Sequence, residues 1–394
     1  MAKALEGVKV LELGHVISGP FCSMLLGDMG AEVIKVERPG QGEFYREEAI
    51  KNAEGVSLVY PAYNRNKKCI TINMKDPGAI DILKALIKRS DVLIENYRPG
   101  MLKKMGLGYD DVKKLNPRIV MASISGFGQT GPKSHKTAYD MTISAVSGFM
   151  SLNGPEGEPT KCGPAISDFL SGLYGALGIL GALRHAEKTG EGQYVDIAMM
   201  DCAMSVLDAF FAQSRFTGVE PSSMGNRRNN YAPVNSFPVK DGWVYIAASL
   251  QKHWENLTNI MGRKDLFENP RYETSRMRKD HEIELEEIVT AWSMGYTSEE
   301  LVKVLEENDI PCAPVQSINQ VMRDPHVVAR KSILEFDYPG LGAYPTASFV
   351  PKYSSLEIPT ERAPTLGEQN EEVYMGILGY SKEEYAALVE RGVI

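Results

Sequence analysis

The chain has 394 residues, of which 43% are hydrophobic and 24% charged, and its net charge is −8. This length suits roughly two or three domains, and the acidic balance weighs against nucleic-acid binding because no dense basic face can neutralise phosphates. The five cysteines are scattered without a CxxC pair, which favours free thiols in a reducing cytosol over disulfides or a zinc site.

The N-terminus has no signal-peptide apolar region, and the longest uncharged apolar run, at residues 169–183, is shorter than the roughly 20 residues of a membrane span. We therefore expect a cytoplasmic protein that binds neither membranes nor nucleic acid.

Strands and helices alternate in the first third of the chain. Strands are predicted at residues 8–13, 32–37, 69–74, 91–95 and 118–123, and helices at 21–30, 77–89 and 109–115. Helical connections between strands are crossovers that join parallel neighbours. The pattern predicts an α/β fold whose large Rossmann-like domain has a mostly parallel sheet.

The middle of the chain is mostly helical. Helices are predicted at 139–150, 168–186 and 201–210, with a short strand at 194–197. Periodicity is lost between residues 217 and 235, which indicates a linker. A strand at 243–247 and helices at 253–261, 281–292 and 298–308 predict a smaller α+β domain. The chain becomes strand-like and proline-rich after residue 324 and ends in a helix at 381–391.

The predicted helix at 168–186 is apolar and has a single carboxylate, Asp168, at its start. Ser167 or Asp168 is suited to cap this helix, and the pattern alone leaves open whether Asp168 has another role. A glycine in a helix interior costs roughly 1 kcal/mol, so repeated glycines predict very close packing against other backbone. Four glycines recur here at every third position: Gly172, Gly175, Gly178 and Gly181.

A GxGxxG stretch at residues 126–131 follows a predicted strand. Pro132 comes directly after it and no βαβ unit follows, so a flexible loop beside a site, or a simple turn, is favoured over a nicotinamide site. The six histidines lack close metal-ligand spacing, and there is no GxSxG elbow or Walker A loop. Metal, serine-hydrolase and P-loop chemistry are therefore disfavoured.

Four polar or glycine-rich loops follow predicted strands, at residues 14–20, 38–40, 96–100 and 126–131. Ligands of open α/β sheets bind beyond the carboxyl ends of the strands. Each loop alone is an ordinary turn, but together they predict a cofactor cleft that also includes Asp168 and the pair Tyr139–Asp140.

Several longer stretches form a specific pattern: residues 5–10, 18–20, 30–37, 95–100, 125–132, 189–193, 196–199, 309–312 and 362–364. This pattern resembles the class III CoA-transferases along nearly the whole chain, a family that includes formyl-CoA:oxalate, acetyl-CoA:oxalate and carnitine CoA-transferases and, as a branch, the α-methylacyl-CoA racemases. The resemblance implies an interlocked homodimer. It also implies a large α/β CoA-binding domain at 1–216 and 330–394, a small α+β domain at 235–315, and linkers at 217–234 and 316–329.

The resemblance implies a CoA-transferase that moves CoA from an acyl-CoA thioester to a small carboxylic acid. Asp168 would be the nucleophile, through aspartyl anhydride and aspartyl-CoA thioester intermediates. Tyr139 and Asp140 would position the acyl group, and the helix N-terminus is expected to keep Asp168 ionised. CoA is expected as a substrate, with no permanently bound cofactor and no metal. Oxalate or succinate is the first guess for the acid.

The resemblance also implies contacts with CoA. Arg38 matches an arginine that contacts the nucleotide. Lys104 occupies an arginine position of some members, and lysine lacks the bidentate phosphate grip of arginine. Thr137 stands where some members have lysine, so Lys136 is expected to substitute. The residues expected to bind CoA are His15, Val16, Arg38, Asn96, Tyr97, Lys104 and Lys136.

Two alternatives stay open. The racemase branch uses a His–Asp pair in a Gly-His-Asp stretch, and the matching residues here are Ala138, Tyr139 and Asp140, which disfavours proton exchange. A non-catalytic CoA-binding subunit of a heteromer is the second alternative, and the intact Asp168 weighs against it.

Transferases of this family shield the intermediate with a glycine loop. No such run of glycines is present here, so residues 249–251 are its expected replacement.

Overall fold

The computed structural model describes residues 2–47 and 50–394. Contacts group the chain into two compact units. The first unit comprises Met1–Met150, Lys161–Val219 and Ala329–Ile394, and the second comprises Ser151–Thr160 and Glu220–Val328. The domain boundaries and linkers proposed from the sequence stay a prediction.

A six-stranded sheet forms the centre of the first unit. Its order is β3-β2-β1-β4-β5-β6, and every adjacent pair is parallel. This confirms the predicted α/β fold with a mostly parallel sheet. The strands of the chain are β1 (Lys9–Glu12), β2 (Glu32–Glu37), β3 (Lys67–Thr71), β4 (Val92–Glu95), β5 (Val120–Ser125), β6 (Tyr194–Ala198), β7 (Val234–Val239), β8 (Gly242–Ala247), β9 (Cys312–Pro314), β10 (Ile333–Tyr338) and β11 (Gly342–Ala347).

The helices follow the crossover pattern in the first unit and dominate the second. Two 3₁₀ turns (Met150–Leu152 and Pro270–Tyr272) and a π-helical turn (Glu372–Ile377) complete the elements. The α-helices are α1 (Ser18–Asp28), α2 (Phe44–Glu47), α3 (Tyr60–Tyr63), α4 (Ala79–Ile87), α5 (Met101–Lys104), α6 (Tyr109–Leu115), α7 (Asp140–Val146), α8 (Ile166–Thr189), α9 (Met199–Met204), α10 (Asp208–Thr217), α11 (Gln251–Ile260), α12 (Lys264–Phe267), α13 (Ser275–Asp280), α14 (Glu282–Ser293), α15 (Ser298–Glu306), α16 (Ile318–Arg323), α17 (Pro325–Ala329) and α18 (Lys382–Glu390).

Both faces of the parallel sheet are buried, because side chains of each strand alternate between them. Val10 and Ala122 lie on the face covered by α1 and α8. Leu11 and Leu93 lie on the opposite face, which is covered by α4, α6 and the C-terminal residues. The sheet is therefore the middle layer of three.

The C-terminal segment completes the first unit. Its strands β10 and β11 form an antiparallel hairpin, and the Arg65 side chain donates a 2.9 Å hydrogen bond to the carbonyl of Ala347. The buried Tyr374 hydroxyl donates to the carbonyl of Thr71 at 2.8 Å. These contacts join the end of the chain to the β3 edge of the sheet.

The glycines of α8 allow it to pack closely. An added Cβ at Gly172 would lie 2.9 Å from the carbonyl oxygen of Ser18 in α1, and one at Gly178 would lie 2.9 Å from Val195 in β6. The nearest neighbours of Gly175 and Gly178 are side chains, and at Gly181 the space is open, so the predicted close packing against other backbone is confirmed at Gly172 and wrong at the other three glycines. Among residues 2–47 and 50–394, α8 is the single helix whose length and composition would let it cross a membrane, a test that soluble core helices also pass.

Most element boundaries differ from the sequence prediction by a few residues, and two helices differ for an identifiable reason. The predicted helix at 201–210 is broken into α9 and α10, because the buried Leu207 turns inward and its amide bonds to the carbonyl of Met204. The predicted helix at 139–150 ends at Val146, before Gly148, whose φ of 87° lies in the left-handed region.

The second unit has its own core. Strands β7, β8 and β9 form an antiparallel sheet. Trp254 of α11, Leu285 of α14 and Leu301 of α15 are buried against it. Strand β7 had no sequence prediction, because Pro238 interrupts its apolar pattern.

Candidate active site

The loops after β1 and β4 meet where the strand order of the sheet reverses. Such a switch point is where open α/β sheets bind ligands. The Asn96 side chain joins these loops: its Nδ2 donates to the carbonyl of His15 at 2.8 Å, and its Oδ1 accepts from the His15 amide at 2.9 Å. Asn96 is therefore a structural link as well as a residue of the predicted cleft.

Two other side chains hold the loop between β1 and α1. The buried Lys35 donates from Nζ to the carbonyl of Gly14 at 2.9 Å. Glu43 accepts a hydrogen bond from the Val16 amide at 2.9 Å through Oε2. Val16 has a φ of 68°, a left-handed conformation that β-branched residues rarely adopt. This loop is therefore strained and held from several sides.

A cavity of about 310 Å³ opens beside this loop. We call it the Asp168 cavity, after the one carboxylate among its lining residues. It brings together most of the residues that the sequence singled out: His15, Val16, Asn96, Tyr97, Lys136, Tyr139 and Asp168.

A second cavity, of about 230 Å³, contains Arg38, and we call it the Arg38 cavity. His15 and Tyr97 line both cavities, and their rings lie 5.5 Å apart between centroids. Several residues that line the Arg38 cavity were not predicted from the sequence. Two of them, Ile72 and Met74, lie at the carboxyl end of a predicted strand, where a ligand was expected. The missed residues are Val36, Glu37, Gly42, Glu43, Phe44, Ile72 and Met74.

Two predicted site residues lie outside both linings. Lys104 is exposed at the end of α5. Asp140 lies behind the Asp168 cavity, where its Oδ1 accepts a hydrogen bond of 2.8 Å from the Ser167 amide in the first turn of α8. The prediction that Ser167 or Asp168 caps this helix is wrong: the N-cap is Ala165, without a side-chain bond, and Asp140 from α7 supplies an acceptor.

Asp168 is the third residue of α8, and its side chain is half-buried in the wall of the Asp168 cavity. No residue that the structure describes donates a hydrogen bond to its carboxylate. Burial, and then the negative charge of Asp140, raise the pKa of Asp168 from an ordinary 3.8 to about 7. Desolvation and the second carboxylate therefore oppose the ionisation of Asp168 that the helix N-terminus was expected to favour.

The imidazole of His15, which lines both cavities, is uncharged. Burial, and then the Lys35 charge, lower the pKa of His15 to about 4. A neutral imidazole offers hydrogen bonds and a flat face but no charge to a ligand. Behind Tyr97, the carboxylate of Glu95 accepts the Tyr97 amide at 2.8 Å, and burial raises the pKa of Glu95 to about 7.

The glycine loop at 126–131 lies against the segment that leads into α7. A Cβ added to Gly126 would lie 2.1 Å from that of Ala138. Gly126 is thus required for the close approach that holds Tyr139 at the Asp168 cavity. The glycine loop lies beside this cavity, in line with one of the two interpretations that the sequence favoured. Residues 2–47 and 50–394 contain no cluster of three or more His, Cys, Asp or Glu suited to a metal ion.

Comparison with known proteins assigns the chain to a family. The profile of CoA-transferase family III matches residues 5–370. The chain belongs to CoA-transferase family III. It is 36% identical, over its full length and 98% of the relative, to a succinyl-CoA–D-citramalate CoA-transferase of Chloroflexus aurantiacus. It is 34% identical to the human succinyl-CoA:glutarate CoA-transferase over its full length and 90% of that protein.

A solved structure supports the fold of this transferase. The crystal structure of a CAIB/BAIF family protein from Brucella suis superposes with a TM-score of 0.88 at 31% identity. The match covers 96% of this chain and all of that one. The sequence-based assignment to the class III CoA-transferases is confirmed, and CoA thioesters are the substrates that the family implies.

Proposed function

We propose that this transferase moves CoA between acids through a covalent intermediate on Asp168. The observation that carries the proposal is the Asp168 carboxylate. It lies in the Asp168 cavity, accepts no hydrogen bond from the described residues and has a pKa near 7. A carboxylate with a raised pKa is more basic than an ordinary aspartate, and a desolvated one attacks a carbonyl more readily.

In the first half-reaction, the Asp168 carboxylate attacks the thioester carbonyl of the donor and the C–S bond breaks. CoA leaves as the thiolate, and Asp168 holds the acyl group as a mixed anhydride. The thiolate then attacks the aspartyl carbonyl and expels the donor acid as its carboxylate, which leaves an aspartyl-CoA thioester.

The second half-reaction reverses these steps with another acid. The acceptor carboxylate attacks the aspartyl thioester, releases CoA thiolate and forms a second anhydride. Attack of the thiolate on the acceptor carbonyl yields the new acyl-CoA and restores the Asp168 carboxylate. The amides of Ile17 and Ser18, at the start of α1, have no described acceptor and would suit the oxyanions of these steps.

We further propose that CoA spans both cavities. The nucleotide would bind in the Arg38 cavity, where the guanidinium donates, among the described residues, only from Nε, to the carbonyl of Gly42 at 3.2 Å. The pantetheine arm would pass His15 and Tyr97 to reach Asp168, with Asn96 and Lys136 at its side. Relatives named for succinyl-CoA with citramalate or glutarate favour succinyl-CoA as donor and a short dicarboxylic acid as acceptor.

The interlocked homodimer is also a proposal, supported by apolar side chains that a monomer leaves exposed. Leu173 and Leu177 of α8 are 54% and 63% exposed, and Phe216 of α10 is 87% exposed. Light scattering after gel filtration should give twice the mass of the chain at every concentration, and a monomer would contradict the proposal. The cytoplasmic location stays a prediction.

The proposed function is tested by turnover of succinyl-CoA with a panel of carboxylic acids. Asp168→Ala should abolish transfer of CoA, whereas Asp110→Ala, an exposed aspartate of α6, should retain it. Full activity of Asp168→Ala would refute the role of Asp168. Activity of the purified single chain excludes the silent-subunit alternative, and α-proton exchange of a 2-methylacyl-CoA in deuterated water would instead support a racemase.

A further inference from the structure

Glu43 lies between the two cavities and has one oxygen without a partner. Its side chain is buried, with an exposed fraction of only 6%, and it lines the Arg38 cavity. Oε2 accepts the Val16 amide at 2.9 Å, whereas the buried Oε1 has no hydrogen-bond partner among the described residues. Buried polar atoms without partners are rare in folded proteins, and they indicate a missing ligand, ion or water.

The carboxylate of Glu43 faces Lys35 and Glu37 and lies close to the backbone of Tyr45. Burial raises the pKa of Glu43 and the Glu37 charge adds to this rise, while the Lys35 charge and the Val16 amide oppose it. A hydrogen-bond donor supplied by a ligand would stabilise the ionised form in the same way.

The backbone around Glu43 is held rigidly from the Arg38 side. The Glu43 amide donates to Glu37 Oε2 at 2.8 Å, and Arg38 Nε donates to the carbonyl of the preceding Gly42 at 3.2 Å. An added Cβ at Gly42 would lie 2.7 Å from Glu37 Oε2, so the turn has no spare room. A ligand that shifts or fixes Arg38 therefore acts directly on the segment that bears Glu43.

On its other side, Glu43 holds a strained residue. Val16 has a φ of 68°, and such strain persists only where surrounding contacts hold it, commonly at functional sites. Val16 lines the Asp168 cavity and immediately precedes Ile17, the N-cap of α1. Release of the Val16 amide would let the loop relax and move the first amides of α1.

We propose that Glu43 is a positioning residue that couples the two cavities: a donor group of the CoA nucleotide satisfies its free oxygen, and the fixed carboxylate then holds Val16 and the start of α1 in the reactive geometry. This inference rests on the proposed function. Binding energy from the nucleotide is thereby used at the reacting centre, far from the atoms that supply it. Enzymes that use remote binding energy in this way lose kcat, and not only affinity, with truncated substrates.

The test compares succinyl-CoA with succinyl-pantetheine, which has the same thioester but no nucleotide. Wild-type enzyme should turn over succinyl-CoA with the higher kcat. Glu43→Ala should lower kcat for succinyl-CoA by about tenfold or more and that for succinyl-pantetheine by less than about twofold. Glu47→Ala, at the exposed end of α2, is the matched control and should change neither.

A second variant separates the strain from a general structural role. Glycine adopts positive φ without strain, so Val16→Gly combined with Glu43→Ala should recover part of the lost kcat for succinyl-CoA. If Glu43→Ala does not fold, Glu43→Gln serves instead, because its amide oxygen still accepts from Val16 while an NH₂ group replaces Oε1.

An equal fall of kcat with both thioesters, or a rise of KM with kcat unchanged, would overturn the coupling, as would a double variant no better than Glu43→Ala alone. These outcomes differ from failure of the proposed function. In that case the wild-type enzyme itself would transfer no CoA from any acyl-CoA. If wild-type transfer is normal but Glu43→Ala affects succinyl-CoA and succinyl-pantetheine equally, the coupling alone is refuted.

Discussion

Replacing Asp168 by asparagine should stabilise the protein in a pH-dependent way. The carboxyl ionises at an ordinary 3.8 in the unfolded chain and at about 7 in the folded one. A raised pKa gives the folded state an advantage that is complete below pH 3.8 and is lost as the pH rises through about 7. From pH 5 to pH 8 this loss amounts to roughly 3 kcal/mol of unfolding free energy.

The asparagine side chain keeps the shape of the aspartate but does not ionise, so the Asp168→Asn variant escapes that loss. Its stability relative to wild type should rise by roughly 3 kcal/mol between pH 5 and pH 8. Asp110→Asn, in the exposed first turn of α6, controls for loss of a carboxylate from a helix N-terminus.

Urea unfolding at the two pH values measures this effect. Far-UV circular dichroism is the appropriate signal, because all three tryptophans (Trp243, Trp254 and Trp292) belong to the second unit and Asp168 to the first. An identical pH dependence for Asp168→Asn and wild type would show that the folded protein accommodates the Asp168 charge at no cost. That result would refute the account of its environment.

Three further predictions concern activity. In wild type, kcat/KM for acyl-CoA should rise with pH through a midpoint near 7. Asp140→Asn should move that midpoint to lower pH, because it removes a negative charge beside Asp168. An unmoved midpoint in the pH–rate profile contradicts this. Gly126→Ala should lower the free energy of unfolding in urea by about 1–3 kcal/mol and lower activity, because the added Cβ would collide with the segment before α7. Gly163→Ala, with open space around it, should change neither. Arg38→Ala should raise KM for succinyl-CoA by about tenfold or more and leave succinyl-pantetheine unaffected in steady-state kinetics, if the guanidinium binds the nucleotide.

The sequence was sufficient to predict the parallel sheet, because the alternation of strands with crossover helices leaves few other topologies. It was also sufficient to predict that the loops after β1 and β4 lie together, since they end two adjacent strands. Gly172 correctly indicated close packing of α8 on other backbone, that of Ser18 and Cys22 in α1.

Contacts between distant parts of the chain were beyond the reach of the sequence. The bond from the Ser167 amide to Asp140 joins residues 27 positions apart, and that from Val16 to Glu43 also spans 27. Neither helix propensity nor periodicity encodes such pairs. The raised pKa of Asp168 was missed for the same reason: local sequence shows the helix N-terminus but not the burial or the neighbouring carboxylate.

The central claim is that Asp168 becomes covalently bound to CoA during transfer. Incubation of the wild-type enzyme with succinyl-CoA, rapid quenching with hydroxylamine and mass spectrometry of its peptides tests this directly. The account predicts a hydroxamate on the peptide that contains Asp168, absent from Asp168→Asn and from the peptide that contains Asp140. An unmodified Asp168 peptide in an enzyme that is turning over succinyl-CoA would contradict it.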